Sequence, residues 1–295
     1  MNAFEYAAPR TLDEALAVLG EHGDEARVIA GGTALVTMMR QRLLSPGYLV
    51  SLREISGLDR IEAANGDVAI GALVTHRDVE TSPLVQERIP VLADTFRRVA
   101  SVRIRNMATV GGALAHADPN QDPPVTLIAL GARVEIRGAG GRRELPVEEF
   151  FRDYYENTLE PGEVVTGVVV PRLPATSGAA YVKFLPRTAD DYATVAVAAT
   201  VSLEPDGERC RAARIALGSV GVTPIRARAA EGLLAGWRLG AELLMAAGEA
   251  VKGAVDPLSD HRGSAAYKKE MAAVMVGRAL TQAWDAARAS SRGTR

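Results

Sequence analysis

Cysteine is nearly absent from this chain of 295 residues, whose single thiol, Cys210, lies between Arg209 and Arg211. One thiol cannot close an internal disulfide, bind an iron–sulfur cluster alone or form a structural zinc site. Flanking arginines lower the pKa of a thiol that they contact. An isolated cysteine is nevertheless much more often inert than catalytic, and we expect no catalytic thiol here.

Histidine is also scarce and scattered. The four histidines, His22, His76, His116 and His261, show neither HxxxH nor HExxH spacing. Such spacings place two imidazoles on one face of a helix around a metal ion. We therefore expect no metal site in this chain, and any metal of the system to be carried by another polypeptide.

Long apolar runs and an excess of one charge are missing as well. No stretch approaches the roughly 20 apolar residues that cross a bilayer, and residues 1–6 lack the basic start and apolar core of a signal peptide. A formal net charge of −2 gives no reason to expect a nucleic-acid partner or an anionic membrane surface. We expect a cytoplasmic protein with no integral membrane segment and no nucleic-acid partner.

What remains is an ordinary globular composition, 47% hydrophobic and 24% charged, in a chain long enough for two domains. Local patterns predict helices at 11–19, 35–40, 75–79, 89–99, 125–130, from 224 onward and 267–284, and strands at 27–30, 48–52, 61–74 (a hairpin), 133–145 (a hairpin), 163–170, 180–184, 195–203 and 213–217. Residues 115–124 predict a loop, residues 171–178 a boundary, and residues 287–295 a frayed end. The first fifty residues resemble a small βαβ unit.

Two similar glycine pairs are the most informative feature. In residues 28–35 an apolar run meets Gly31-Gly32-Thr33, and in residues 107–114 Thr109 precedes Gly111-Gly112. Such turns bring bare backbone N–H groups close to an anion, so two of them are suited to the two phosphates of a dinucleotide. Neither shows the G-x-G-x-x-G spacing of a Rossmann turn or the lysine of a P-loop. From the residues alone, a simple strand-to-helix turn stays equally open, and the glycines of residues 138–141 predict a plain turn.

Further motifs accompany the glycine pairs along nearly the whole chain. They are Ala30-Gly31-Gly32-Thr33, residues 104–112, residues 117–122, Tyr181-x-Lys183, Asp191-Tyr192-Ala193, residues 218–227 and Ser264-x-x-Tyr267. In this combination and order, the sequence resembles the FAD-binding medium subunit of molybdenum hydroxylases. That family includes the aerobic carbon monoxide dehydrogenase medium chain and the xanthine dehydrogenase FAD-binding subunit.

The resemblance implies an α+β fold. A two-subdomain FAD-binding domain of the vanillyl-alcohol-oxidase (PCMH) type would span residues 1–175, with subdomains at about 1–55 and 56–175. A smaller α+β domain, of the CO dehydrogenase flavoprotein C-terminal type, would span residues 176–290.

The resemblance also assigns cofactor contacts. Residues 30–35 and 109–113 would line the FAD pyrophosphate and ribityl chain, and Asp122 would be an acidic FAD contact. Lys183 and Leu159 would lie near the flavin ring, where a lysine favours the anionic reduced ring, and Tyr192 over or beside it, gating acceptor access. The implied FAD-binding residues are Ala30, Gly31, Gly32, Thr33, Ala34, Leu35, Thr109, Val110, Gly111, Gly112, Ala113, Asp122, Leu159, Lys183 and Tyr192. No residue receives a catalytic or metal-binding role.

Two positions depart from the family pattern. Ala34 follows the first glycine motif and Ala113 the second pair, where the family often has polar side chains. Each departure removes a hydrogen bond worth about 0.5–1.5 kcal/mol. We therefore expect backbone groups to carry most of the FAD binding.

The implied function is that of an electron-transfer subunit. FAD here would take electrons from [2Fe–2S] clusters of a small partner subunit and pass them to quinone, NAD or another acceptor. Molybdopterin would be carried by a large partner subunit, in a dimer of heterotrimers. Two alternatives stay open: a self-contained flavin oxidoreductase acting on a small molecule, and a non-redox nucleotide-binding protein.

Overall fold

The computed structural model describes residues 2–185, 187–188 and 191–293. The first unit is a parallel three-stranded sheet in the order β1-β3-β2, with two helices. Its elements are β1 (Glu5–Ala7), α1 (Leu12–His22), β2 (Ala26–Ile29), α2 (Leu35–Arg40) and β3 (Tyr48–Ser51). Thr11 Oγ1 begins α1 by accepting the N–H of Glu14 at 3.2 Å, and the Glu14 carboxylate accepts the N–H of Thr11 at 3.3 Å. The predicted βαβ unit is present, with β1 added at its edge.

The second unit is an antiparallel five-stranded sheet in the order β4-β5-β10-β6-β7, accompanied by helices and a small hairpin. Its elements are β4 (Ile61–Ala64), β5 (Asp67–Gly71), α3 (His76–Thr81), α4 (Pro83–Arg88), α5 (Pro90–Arg97), α6 (Val102–Arg105), α7 (Val110–His116), α8 (Asp122–Leu130), β6 (Arg133–Gly138), β7 (Gly141–Pro146), β8 (Phe151–Asp153), β9 (Glu156–Asn157) and β10 (Val164–Val170). The hairpin predicted at residues 61–74 turns at Asn65 and Gly66, whose φ angles are 52° and 94°. Both angles are positive, as a type I′ turn requires.

Helix α8 differs from its prediction at the N-terminus. It begins at Asp122, not at Val125. Pro123 and Pro124 are compatible with the first helical turn, because the N–H groups that proline lacks have no partner there in any helix. This places the Asp122 side chain on a helix and not on a loop.

The third unit is an antiparallel sheet in the order β11-β12-β13-β14, covered by helices. Its elements are β11 (Ser177–Phe184), β12 (Val195–Leu203), β13 (Cys210–Gly218), β14 (Ile225–Arg226), α9 (Arg228–Leu234), α10 (Ala241–Lys252) and α11 (Ala265–Gly293). Gly178 lets α11 approach the sheet closely, since a Cβ there would lie 2.2 Å from the Ala283 carbonyl oxygen. The frayed end predicted from residue 287 is wrong as far as residue 293, because Ala287 is fully buried within α11; residues 294–295 lie outside the described residues.

Three apolar clusters fill the space between these sheets and helices. Val164 of β10 belongs to the cluster of the first unit, and Tyr181 of β11 to that of the second. Thr200 Oγ1 of β12 also donates to the Ala129 carbonyl of α8 at 3.0 Å. The units therefore pack directly against one another and hold a cavity between them.

Residues 2–185, 187–188 and 191–293 contain no helix with the length and apolar character that crossing a bilayer requires. In the same part of the chain, no group of three or more His, Cys, Asp or Glu side chains is arranged to hold a metal ion.

Candidate cofactor-binding site

A cavity of about 660 Å³ brings the two glycine pairs to a common space. Every residue implied by the resemblance lines it except Val110, which is buried in α7. The lining comes from all three units: the end of β2, the start of α7, the loop before β10, and β11 with the segment that follows it. Its volume falls within the range of small-molecule sites, about 300–1,000 Å³.

The first glycine pair crosses another backbone segment at very short range. A Cβ on Gly31 would lie 1.8 Å from the Met107 carbonyl oxygen, and Gly32 has a φ of 71°. None of the described residues accepts a hydrogen bond from the amides of residues 31–35. Five consecutive amides at the cavity wall are therefore available to an anionic ligand, as the sequence analysis expected of this pair.

The second glycine pair is different, because its amides already have acceptors. The N–H of Val110 donates to the Val74 carbonyl at 3.0 Å and that of Gly111 to the Ala72 carbonyl at 2.9 Å. Thr109 accepts the next two, through Oγ1 from Gly112 at 3.1 Å and through its carbonyl from Ala113 at 2.9 Å. The expectation that this pair also offers bare N–H groups is wrong, since Gly111 donates to the segment after β5 and Gly112 to the Thr109 side chain that caps α7.

Gly111 and Gly112 serve instead to keep side chains out. A Cβ on Gly111 would lie 2.5 Å from the Ala72 Cβ, and one on Gly112 would lie 2.8 Å from Thr109 Oγ1. Because neither glycine has a Cβ atom, α7 approaches β5 closely, and no side chain projects from these two positions into the cavity beside Ala113.

Asp122 and Lys183 form a buried ion pair at the cavity wall. Their side chains are only 4% and 3% exposed, with Nζ and Oδ2 2.8 Å apart. Lys183 also donates to the Arg98 carbonyl at 2.9 Å, and the Tyr181 hydroxyl donates to the other oxygen of Asp122. Burial raises the pKa of Asp122, which the Lys183 charge opposes, and burial beside Asp122 raises that of Tyr181 well above its usual value.

This pairing changes the electrostatic argument for Lys183. Lys183 was expected to lie near the flavin ring as a cation, and in the structure it has a carboxylate partner. The pair is close to neutral as a unit, because the two charges lie within contact distance.

Tyr192 lies at the solvent side of the cavity, with 44% of its surface exposed. Its hydroxyl donates to Asp118 Oδ2 at 2.8 Å. Burial, and secondly the Asp118 charge, raise the pKa of Tyr192, so the phenol stays protonated at neutral pH. Asp118 is itself held by the backbone N–H of Asn120, which donates to Oδ1 at 2.9 Å.

Leu159 lines the cavity on a loop that two hydrogen bonds hold in place. Its N–H donates to Asn157 Oδ1 at 2.9 Å, and Asn157 Nδ2 donates to the Ala115 carbonyl at 2.8 Å. The loop that carries Leu159 is therefore attached to α7. Ala34 and Ala113 also line the cavity, with no polar group to offer beyond the backbone.

Many residues outside the expected set also line the cavity, and Tyr155, Ile104 and His76 are three of them. Tyr155 is 55% exposed, has a φ of 55° and lies with its ring 5.1 Å from that of His116. Ile104 is an exposed apolar side chain at the cavity, and its place there depends on the fold. Positive φ at a tyrosine has no sequence signature, since glycine or asparagine is the usual occupant of such positions.

His76 is the third of these residues and is almost completely buried. Neither of its ring nitrogens makes a well-formed hydrogen bond with the described residues, and the ring meets Phe96 edge-on at 4.9 Å. Burial lowers its pKa to about 4, with an opposing contribution from the Thr109 backbone. His76 is thus a neutral imidazole behind the second glycine pair.

Cys210 behaves as the composition suggested. It is buried, and burial raises its pKa to about 11. The neighbouring arginines do not activate it, since Arg209 pairs with Asp206 at 2.8 Å and Arg211 with Glu204 at 3.5 Å.

These residues fit a dinucleotide cofactor. The amides of residues 31–35 suit a pyrophosphate, the glycine-lined wall admits a chain without side-chain obstruction, and the remaining lining is largely apolar. An elongated ligand with an anionic centre and aromatic ends meets all three conditions.

Comparison with known proteins identifies the family. Residues 2–173 match the FAD-binding domain in molybdopterin dehydrogenase, and residues 180–283 match the CO dehydrogenase flavoprotein C-terminal domain. The chain is 38% identical to the carbon monoxide dehydrogenase medium chain of Hydrogenophaga pseudoflava, over 95% of this chain and 97% of that one. It is 36% identical to the 6-hydroxypseudooxynicotine dehydrogenase complex subunit alpha of Paenarthrobacter nicotinovorans, over 97% and 96%.

A solved structure agrees with the sequence comparisons. Carbon monoxide dehydrogenase from Hydrogenophaga pseudoflava, in a form that lacks the Mo-pyranopterin moiety of the molybdenum cofactor, contains a chain that superposes with a TM-score of 0.93. The two are 39% identical, with 96% of this chain and 98% of that chain covered. The α+β fold inferred from the sequence is confirmed. The protein belongs to the FAD-binding medium subunits of molybdopterin dehydrogenases, and it is a FAD-dependent oxidoreductase subunit of the carbon monoxide dehydrogenase and xanthine dehydrogenase type.

Proposed function

We propose that this chain is the electron-exit subunit of a three-part molybdenum hydroxylase. A small partner subunit would supply electrons from [2Fe–2S] clusters, and a large partner would oxidise the substrate at a molybdopterin centre. The observation that carries the proposal is a single cavity that joins five available amides to a half-exposed Tyr192. Bound FAD supplies the exchange between one-electron donors and two-electron acceptors.

The chain's own residues would divide the binding of FAD between them. The amides of residues 31–35 hold the pyrophosphate, and Thr109, Gly112 and Ala113 form a wall that excludes water from it. Gly111 belongs to the same wall and Val110 supports it from behind, and the amides of both dock on the segment after β5. Because Ala34 and Ala113 offer no side-chain donors, the backbone supplies most of the polar contacts.

The flavin ring would be placed by Leu159, Lys183 and Tyr192. Asp122 acts mainly through Lys183: the 2.8 Å pair fixes the ammonium group in place and offsets its charge. Tyr192 would cover the ring at the solvent side, where an external acceptor arrives. This arrangement lets the residues orient the ring while leaving one edge accessible.

The domain division follows the sheets. We propose a FAD-binding domain at residues 1–175, with subdomains near 1–55 and 56–175, and a C-terminal domain at 176–290. The parallel sheet, the five-stranded sheet and the β11-β12-β13-β14 sheet fall into these three parts in order. The proposal includes a dimer of heterotrimers and a cytoplasmic location, which analytical ultracentrifugation and cell fractionation test.

Native purification followed by subunit and cofactor analysis tests the function. We expect the chain to co-purify with a cysteine-rich small subunit and a large molybdopterin subunit, and to account for all the flavin. Chemically reduced iron–sulfur subunit, mixed anaerobically with the FAD-loaded chain, should then bleach the flavin absorbance. A purified complex whose flavin resides in another polypeptide, or whose flavin stays oxidised beside reduced clusters, contradicts the proposal.

A further inference from the structure

Tyr192 is held by two contacts from distant parts of the chain, although nearly half of its surface is exposed. Its hydroxyl donates to Asp118, on the loop between α7 and α8. Its ring lies beneath the guanidinium group of Arg262, whose central carbon is 5.4 Å from the ring centroid. Arg262 does not line the cavity, and this contact joins it to Tyr192, which does.

Arg262 is itself firmly placed. Its side chain is 15% exposed, and its Nη1 lies 3.3 Å from Asp260 Oδ2. Its backbone N–H donates to Asp260 Oδ1 at 2.8 Å. The Asp260 carboxylate also pairs at 2.9 Å with Lys268, a buried residue of α11. The guanidinium is therefore connected through Asp260 to the longest helix of the third unit.

The segment around Arg262 is also attached to the chain that carries Tyr192. Thr194, which directly precedes β12, donates through Oγ1 to the Arg262 carbonyl at 3.5 Å. Gly263, which follows Arg262 in the chain, has a φ of 152°, and a Cβ there would lie 2.7 Å from the Tyr267 ring. Both sides of the Arg262–Tyr192 contact are thus fixed to one another as well as to α11.

We propose that Arg262 is a positioning residue, which holds the Tyr192 ring at the solvent edge of the flavin cavity and so limits the access of small solutes to the flavin. The proposal rests on the function proposed above. An arginine over an aromatic face suits this task, because the cation–π contact fixes the plane of the ring while the Asp118 hydrogen bond fixes its far end. After loss of Arg262, the Asp118 hydrogen bond still holds the hydroxyl, but the cation no longer fixes the plane of the ring.

Quenching of flavin fluorescence by acrylamide, a small neutral solute, tests this in the FAD-loaded full chain. We expect Arg262→Met to raise the bimolecular quenching constant about two- to fivefold, the change that corresponds to loss of one exposed cation–π contact. Arg262→Lys keeps a cation and should restore most of the protection. Arg238→Met is the matched control: Arg238 is an exposed arginine of the same unit that pairs with Glu208, and its loss should leave quenching unchanged.

A second readout works without FAD. N-acetylimidazole acetylates accessible tyrosines, and mass spectrometry reports the rate at Tyr192 relative to the exposed Tyr155. Arg262→Met should accelerate acetylation of Tyr192 alone. A merely structural role would lower the melting temperature and leave both rates at their wild-type values, and that result overturns the proposal.

The two readouts also separate this proposal from the proposed function. A chain that never binds FAD contradicts the function, while acetylation still decides the role of Arg262. A chain that binds FAD and shows wild-type quenching in Arg262→Met contradicts the role of Arg262 alone.

Discussion

Replacing Asp122 by Asn leaves the Lys183 ammonium group buried without its counter-ion. The two charges are 2.8 Å apart, and both side chains are less than a twentieth exposed. At an effective dielectric constant of 20, such a pair attracts by about 6 kcal/mol, most of which offsets the cost of desolvating both ions. Removing one partner of a buried pair costs about 3–5 kcal/mol. We therefore expect Asp122→Asn to lower the free energy of unfolding of the chain by about 3–5 kcal/mol.

A double-mutant cycle isolates the pair from the rest of the site. Lys183→Met removes the cation, and the double variant removes both charges. The loss of unfolding free energy in the double variant should be smaller than the sum of the two single losses by about 2–3 kcal/mol. Tyr181→Phe is the matched control, since it removes the phenol hydrogen bond to Asp122 and leaves the ion pair intact. Its cost should be about 1.5–3 kcal/mol, the value of a hydrogen bond to a charged group.

Urea unfolding followed by far-ultraviolet circular dichroism measures these free energies. Two results refute the reasoning. One is an Asp122→Asn variant within about 1 kcal/mol of the wild type, a cost typical of an ordinary substitution. The other is strict additivity of the two single variants, which would mean that the charges do not interact.

Four further predictions follow from the site. Asp122→Asn should raise the midpoint potential of bound FAD in spectroelectrochemical titration, because an uncompensated Lys183 cation favours the reduced ring. In urea titrations, His76 should account for about 2 kcal/mol of the unfolding free energy that the wild type loses as the pH falls from 7.5 to 5. The His76→Leu variant should lack this part of the loss. The folded pKa of His76 is about 4, against an unfolded value of 6.5, so the unfolded chain alone takes up the proton as the pH falls through this range. Gly31→Ala should abolish FAD binding in fluorescence titrations, because the Met107 carbonyl occupies the space of the methyl group. Thr109→Ala should cost about 1 kcal/mol of unfolding free energy through loss of the α7 N-cap, and should weaken FAD binding.

Each of these has an outcome that contradicts it. An unchanged flavin potential in Asp122→Asn would mean that Lys183 does not act on the ring. Equal pH dependence in wild type and His76→Leu would mean that His76 is protonated in the folded chain. Gly20→Ala is the control for Gly31→Ala: it lies in α1 with nothing near the added methyl group, and loss of FAD binding in both variants would remove the argument from steric exclusion. Full stability in Thr109→Ala would show that the cap is dispensable.

Local features were predictable from the sequence because they depend on short-range chemistry. Thr11 with Glu14 predicts the start of α1 through a capping box, and Asn65-Gly66 predicts a hairpin turn through two positive φ angles. The first glycine pair is also a local device, since the strand, the turn and the available amides of residues 31–35 lie within one short segment.

The properties missed by sequence reasoning depend on contacts between distant segments. The amide of Gly111 is engaged because the segment after β5 brings the Ala72 carbonyl against the first turn of α7. The partnership of Lys183 with Asp122 joins β11 to α8, and that of Arg262 with Tyr192 joins two loops some seventy positions apart. No local pattern reports such pairs.

Burial determines the outcome at two local features. The arginines on either side of Cys210 do not activate it, because the thiol is buried in β13 and both arginines pair elsewhere. The polar, alanine-rich end of the chain looks frayed, yet α11 continues to Gly293 because Ala287 is buried against its neighbours.

The most direct test of the account is the amount of FAD that the folded full chain retains after reconstitution and gel filtration. The account predicts one FAD for each polypeptide in the wild type and in Gly20→Ala, and none in Gly31→Ala. A chain with the far-ultraviolet circular dichroism of an α+β protein that retains no flavin, both alone and with its partner subunits, would contradict it.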